Sequence, residues 1–453
     1  VSSEAINGFV RVLMSNCRVA FLFILFWPPI ALVCSDSLVA QECDAVAGCD
    51  GACANGDSDF RPSDGGWCSS PYLLGDWCGT RSSLADNGIT LDASVTQYYQ
   101  GVTSGGRRRE FDYAGHGEYI LNTDFGKLGV RDGLLMKIRA EHRFGTPINQ
   151  AAGVLLSPAM LSTFPTPETE DLVITEFLFT QFLSENVAIY AGKMMTVPSG
   201  LTPFTAGRGD DTFMNASFIF PVTTTFSAPY STLGAGFTIL QDQFPVLSFS
   251  VLNSSDTITQ SGFDELFEDG VALTGALSLP TPLGGKPGAQ TMGFTWNNRS
   301  QIALGQDPRV ILPGFSPQQV SEAWSLFWSG FQYIDTYDDP SKGWGVFAAA
   351  GISDGNPTLT RSWMNAGIGG NVPSKRRPDD RFGVGWFYNE LSDETGPILN
   401  LLAAPRDSWG VELFYNCAVT PSVYITPDLQ VLQPGNRRDD TAVLFGVRAH
   451  IEL

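Results

Sequence analysis

The sequence predicts an all-β chain, a transmembrane up-and-down antiparallel β-barrel of about 16 strands, preceded by a short Cys-rich and helical N-terminal segment. Three observations predict it. Apolar residues recur with period two in one segment after another, the mark of strands with one apolar face. Beyond residue 88 these segments number about sixteen, an even count, as a single-chain membrane barrel requires. The connections between them alternate between short and long, which suits tight turns at one end of a barrel and long loops at the other.

Composition agrees. The chain has 453 residues, of which 43% are hydrophobic, 12% aromatic and 16% charged. So few charges and so many aromatics exclude a disordered chain. No apolar run of about 20 residues occurs beyond residue 40, which excludes a helical membrane protein. Ala, Glu, Lys and Leu are not enriched at heptad spacing, which excludes a coiled coil. The formal net charge of −20 repels phosphate and excludes nucleic acid as a partner.

The first element, residues 1–40, reads as an export segment. Val1 to Leu13 resembles an upstream extension, with Met14 the better start. Arg18 then precedes the apolar run Val19 to Trp27, and Ser37-Leu38-Val39-Ala40 offers small residues for cleavage before Gln41. The run is too short to span a bilayer as a helix. Acylation at Cys34 is the weaker alternative, because Val33 is bulky for the preceding position. Residues 41–72 form a Cys-rich periplasmic segment, with Cys43, Cys49, Cys53 and Cys68, followed by Cys78. In an exported chain these predict disulfides. No C-x2-C pair and no nearby His supports a metal site, so no metal and no cofactor is expected.

The strands follow. Val443, Phe445, Val447, Ala449, Ile451 and Leu453 alternate with Leu444, Gly446, Arg448, His450 and Glu452. Met136, Ile138, Ala140, His142 and Phe144 alternate with Lys137, Arg139, Glu141 and Arg143. A soluble sandwich and a membrane barrel both fit such alternation. Four consecutive charged positions favour a water-filled lumen. Strand starts fall near Leu91, Tyr113, Leu134, Leu172, Val187, Gly234, Val246, Val271, Gly288, Ser325, Gly343, Trp363, Arg381, Ser408, Ser422 and Thr441. Short turns lie at Ser184 to Asn186, Gln241 to Pro245 and Pro280 to Pro287. Long connections lie at Phe144 to Asp171, Met195 to Leu233 and Asn297 to Glu322. Aromatics near segment ends, among them Tyr98, Tyr99, Trp296, Trp328, Trp363, Trp386 and Trp409, are expected to form girdles at the membrane interfaces.

Several blocks resemble the carbohydrate-selective (OprB-type) porins. Leu74-Gly75-Asp76-Trp77-Cys78-Gly79-Thr80-Arg81, followed by Leu84 to Ile89, is similar to that family's opening motif. Ser353-Asp354-Gly355-Asn356-Pro357 and Arg377-Pro378-Asp379-Asp380-Arg381-Phe382-Gly383 resemble later blocks, as do Glu412, Pro427 to Gln430 and Gly446-Val447-Arg448. The resemblance covers residues 73–453 and implies a porin domain there, with the barrel beginning near residue 90. It implies an outer-membrane location in a Gram-negative-type bacterium and passive diffusion of carbohydrates, monosaccharides such as glucose. Its partners would be sugar solutes, outer-membrane lipid and the barrel-assembly machinery, with a homo-oligomer left open. Cys78 departs from the family pattern by replacing a glycine, and a disulfide with Cys68 is expected.

Within the lumen, Lys137, Arg139, Glu141 and Arg143 are expected to offer hydrogen bonds to sugar hydroxyls. The loops Phe144 to Asp171 and Met195 to Leu233 carry apolar residues (Leu156, Met160, Leu161, Phe204, Phe213, Phe218) and are expected to fold inward as the constriction. Arg208, Asp210 and Asp211 would then bring both charge signs to the eyelet. Arg107-Arg108-Arg109 is expected in the first long connection. Arg376, Arg377, Asp379, Asp380 and Arg381 are expected in a periplasmic turn that sets strand register. A general or anion-preferring channel stands as an alternative. So does a barrel enzyme, although no G-x-S-x-G occurs and only His116, His142 and His450 could act as base.

Overall fold

The computed structural model describes residues 69–165, 170–197, 200–339 and 342–453. Residues 1–40, expected to be an export segment, most of the Cys-rich segment and Cys68 lie outside the described residues. In chain order the strands are β1 (Ile89–Gly106), β2 (Phe111–Asp124), β3 (Leu134–Gly145), β4 (Val173–Ser184), β5 (Val187–Met195) and β6 (Ser231–Gln241). Then come β7 (Phe244–Asn253), β8 (Val271–Pro280), β9 (Gly288–Asn297), β10 (Gln301–Ile302), β11 (Gln319–Val320) and β12 (Ala323–Thr336). The last six are β13 (Gly343–Ser353), β14 (Thr360–Asn371), β15 (Arg381–Leu391), β16 (Ser408–Thr420), β17 (Val423–Leu432) and β18 (Asp440–Glu452).

All but β10 and β11 close into one barrel in which each strand pairs with its sequence neighbour and β1 pairs with β18. β10 and β11 form a separate hairpin in the connection from β9 to β12. The barrel strands run from 9 to 18 residues, long enough to cross a hydrocarbon core when tilted. Closure pairs the backbone groups that lipid would leave unsatisfied.

Burial is inverted relative to a soluble protein. Ile174, Phe177, Met292, Leu326 and Phe445 are exposed, whereas Glu141, Glu412, Gln430 and Arg448 are buried. A soluble domain pays heavily for that pattern. A barrel with lipid outside and a polar interior requires it. Among the described residues no helix is long and apolar enough to cross a membrane.

The inner face also carries apolar residues: Phe347, Phe387 and Phe414 point inward and are buried. Two expectations need correction. Tyr98 and Trp363 belong to no girdle. Each is 1% exposed, and each bonds inward, Tyr98 Oη to Gly209 O at 3.1 Å and Trp363 Nε1 to Ser217 O at 3.0 Å. The arginine run sits in no long connection: β1 and β2 are joined by residues 107–110 alone. There Arg107 pairs with Asp439 at 2.9 Å and Arg108 with Glu110 at 2.8 Å.

The opening motif builds a latch across the seam where β1 meets β18. Trp77, Cys78 and Gly79 take successive left-handed conformations, with φ of 49°, 57° and 86°. A glycine suits such a position, and holding Cys78 there costs roughly 1–2 kcal/mol. Cys78 is disulfide-bonded. Gly75 also has positive φ and sends the chain into the turn. Asp76 then accepts from Ser82 N at 2.9 Å and Ser82 Oγ at 2.8 Å, fixing the start of α1 (Thr80–Asp86). From α1 the buried Arg81 reaches both sides of the seam, donating to Leu91 O at 3.1 Å and to Leu453 O at 3.0 Å. Tyr72 and Trp77 cover its guanidinium, 3.6 and 4.7 Å from the ring centroids. Arg81→Ala should therefore lower unfolding stability in urea by roughly 1.5–3 kcal/mol, the range for hydrogen bonds from a charged group. Arg81→Lys should recover only part of the loss, since a single ammonium lacks the planar fork and the ring stacking.

Candidate functional site

The connection from β5 to β6, residues 196–230, folds into the barrel. Its Phe204, Phe213 and Phe218 are buried together with the wall residues Phe347, Phe387 and Phe414. Ring centroids lie 4.9 Å apart for Phe213 and Phe414 and 5.6 Å apart for Phe218 and Phe387. Each fully buried ring contributes about 1.5–3 kcal/mol to holding the loop. The wall is glycine where the rings press hardest. A Cβ on Gly385 would meet Phe218 at 2.5 Å, and one on Gly383 would meet Phe213 at 2.7 Å.

Polar wall residues complete the seating. Glu412 accepts from Met214 N at 2.7 Å and Asn215 N at 3.0 Å. Arg448 donates to Gly209 O at 2.8 Å and Thr212 O at 2.7 Å. Asn215 Nδ2 donates to Gln430 Oε1 at 3.0 Å. From the later family-like blocks, Glu412, Gln430 and Arg448 are thus anchors for the loop. The connection from β3 to β4 also turns inward, burying Ile148, Met160 and Leu161. Gln430 holds it by donating to Pro158 O at 2.8 Å.

Opposite the aromatic seat, the loop and the inner faces of β1–β4 enclose a cavity of about 370 Å³, lined among others by Glu118, Lys137, Arg139, Glu176, Arg208 and Asp210. The register places Glu118 directly across from Glu141, and Arg139 across from Glu176. Two carboxylates facing each other repel unless a cation joins them. Arg208 supplies it, donating to Glu141 at 2.6 Å and Glu118 at 2.8 Å. Its other arm donates to Tyr230 Oη at 2.7 Å, and that hydroxyl donates to Glu141 at 2.9 Å. Arg139 joins Glu118 and, at 3.2 Å, Glu176, which also pairs with Lys137 at 3.0 Å. Arg208 sits in a left-handed conformation, φ 56°, and its three partners, Glu118, Glu141 and Tyr230, hold it there.

The residues expected to line the lumen separate. Lys137, Arg139, Arg208 and Asp210 come together around this cavity. Glu141 points inward but is 0% exposed, so it touches no solute and acts by holding Arg208. Arg143 is buried and does not reach the cavity. Asp211 turns to a different cavity and pairs with Arg381 at 2.6 Å. Asp379 pairs with Lys342 at 2.5 Å. Asp380 locks the turn 372–380 by accepting from Arg377 at 2.8 and 2.9 Å, Tyr415 Oη at 2.5 Å and Ala418 N at 3.0 Å. Glu118, Glu176 and Tyr230 escape notice in the sequence, although pairing Arg139 across the neighbouring strands would have found Glu176. Among the described residues no group of His, Cys, Asp and Glu is arranged to hold a metal.

Asp210 lies in the inward loop. Burial and the neighbouring Asp211 push its carboxyl up to about 8.

The model of the carbohydrate-selective porin family, OprB, matches residues 108–453. No curated protein matches the chain. The fold is similar to the high-pH structure of Pseudomonas putida OprB, with a TM-score of 0.73 and 17% identity, covering 85% of this chain and 99% of that one. The low-pH structure of the same protein gives a TM-score of 0.50 and 15% identity, with the same coverage.

Two outcomes test the loop and its charge. Gly385→Val should unseat Phe218 and raise single-channel conductance in planar bilayers, while the barrel stays heat-resistant on gels. Asp210 is neutral below its raised value and gains a negative charge as pH rises past about 8. Cation selectivity, read from reversal potentials, should therefore increase between pH 7 and 9, and Asp210→Asn should abolish that increase.

Proposed function

The chain belongs to the carbohydrate-selective porin family, OprB, and we propose that it admits monosaccharides such as glucose by passive diffusion, with Arg139, Arg208, Glu118 and Glu176 as the groups that slow them. The protein is an outer-membrane carbohydrate porin. Residues 1–40 would export it, residues 41–72 would stay periplasmic, and the barrel-assembly machinery would insert residues 73–453.

The observation that carries the reading is the pairing of guanidinium and carboxylate groups around one cavity. A sugar is uncharged and carries hydroxyls that both donate and accept. Arginines offer planar donors and glutamates offer acceptors, so one hydroxyl can bridge the two. Because each charged group already has a protein partner, a sugar replaces an existing bond, and binding stays weak. Weak binding is what passage demands. An anion-preferring channel would need a surplus of cations at the constriction, and here the carboxylates interleave with the basic groups.

An enzyme has less support. Thr96 Oγ1 meets His450 Nδ1 at 2.8 Å, and His450 Nε2 meets Glu452 at 3.0 Å. That is the connectivity of hydroxyl, base and carboxylate. Thr96 is 2% exposed, however, and lies mid-strand between β2 and β18, where the ladder occupies the backbone N–H groups an oxyanion would need.

Replacing Arg139 with Ala tests the reading. The barrel should remain heat-resistant, since lumen substitutions tune selectivity rather than insertion. Glucose block of ion current should weaken by about three- to tenfold, because water partly replaces a bond worth roughly 1.5–3 kcal/mol. Ion selectivity should shift toward cations, as Glu118 and Glu176 lose a shared positive partner. Unchanged glucose block and unchanged selectivity would overturn the assignment.

A further inference from the structure

We infer that the lumen holds a second sugar-binding subsite, at the short-turn end of the barrel, built on Asp211, Arg381, Asn416 and Tyr424. It rests on the carbohydrate reading above and extends it. Arg381 opens β15, Asn371 closes β14 and Tyr424 is the second residue of β17, which places the subsite beside the turns 372–380 and 421–422. These side chains line a cavity of about 240 Å³. It shares Asn371 and Arg381 with an adjoining cavity of about 190 Å³, where Phe204, Tyr333 and Phe382 lie. The central cavity is lined by Asp210 and this one by Asp211, so consecutive residues at the loop tip face different chambers.

The polar atoms here are unevenly satisfied. Asn416 donates its Nδ2 to Asp211 O at 2.9 Å. Asn416 borders the chamber, and its Oδ1 is buried and accepts no bond from the protein. Asp211 Oδ2 takes Arg381 Nη1 at 2.6 Å, while its Oδ1 likewise accepts nothing. Two acceptor oxygens therefore stand without donors, next to a guanidinium that has further N–H groups to give. A buried acceptor left unpaired costs about 1–3 kcal/mol, and a solute hydroxyl removes that cost once the side chain turns toward the chamber it borders. The ring of Tyr424, anchored by its hydroxyl on Pro421 O at 3.0 Å, offers a face for C–H groups. Formal charges cancel across the chamber, Arg381 against Asp211 and Lys342 against Asp379. The chemistry that fits is an uncharged polyol with one apolar face, a pyranose, leaving the central cavity by way of Asp210 and Asp211.

Current noise in planar bilayers, with glucose added to one side at a time, tests this. Wild type should show block from either side. Tyr424→Leu keeps the net charge and should raise the glucose concentration for half-block from the short-turn side about three- to tenfold, with block from the loop side within about twofold of wild type. Asp211→Asn should act in the same direction, and decides the matter if Tyr424→Leu fails to give a heat-resistant barrel. Unchanged short-turn block in a folded variant would overturn the second subsite. If Arg139→Ala alone removes block from both sides, the subsite falls and the channel reading stands. If wild type shows no glucose block from either side, both fall.

Discussion

The shape of the lumen follows from one contact, the packing of Phe213 and Phe218 against Phe347, Phe387 and Phe414 over Gly383 and Gly385. A wide barrel with a wholly polar interior would fill with water. Here one side of the inner wall is apolar and recessed, so the hydrophobic effect pulls the loop onto it. The loop then pushes Arg208 and Asp210 across to the charged wall of β1–β4. Without the recess the rings could not approach, and without the rings Arg208 would not stand between Glu118 and Glu141. The aromatic seat and the charged constriction are two ends of the same lever.

Why the anchors are both apolar and polar follows from the solvent they face. An aromatic cluster inside a water-filled tube excludes water but fixes no register. Glu412 and Arg448 fix it, by bonding to loop backbone groups at Met214, Asn215, Gly209 and Thr212. Both side chains are fully buried, where a lone charge would be costly. Their bonds to the loop supply the compensation, so the loop needs these polar side chains and they need the loop.

The barrel was legible because lipid and water impose a simple code. Every expected strand start falls within three residues of the observed one. Period two separates the two faces wherever the outside is lipid and the inside is water, as along Met136 to Phe144. The code fails where the inside is protein. Phe347, Phe387 and Trp363 look like lipid-facing or girdle residues in a one-dimensional pattern, yet they face a loop that reaches them from far along the chain. The candidate site was half legible for the same reason. Lys137 and Arg139 stand out by alternation alone. The burial of Glu141 depends on Arg208, some distance along the sequence, and no local pattern reports it. The parting of Asp210 from Asp211 depends on a backbone turn at the loop tip.

The charge pairing also bears on how such a pore stays open to neutral solutes despite a net charge of −20. A constriction lined by unpaired carboxylates would hold a standing cloud of cations, and their hydration shells would occupy the space a sugar needs. Pairing Arg139 and Arg208 with Glu118, Glu141 and Glu176 cancels most of that field locally. What survives is short-ranged: directional donors and acceptors a few ångströms from the path. A hydroxyl group senses these fully, while an ion gains little from them that bulk water does not already give it. Selectivity for an uncharged, hydroxyl-rich solute can therefore arise from strongly charged side chains, provided that they are arranged as pairs, and the strand register that sets Arg139 across from Glu176 is what arranges them.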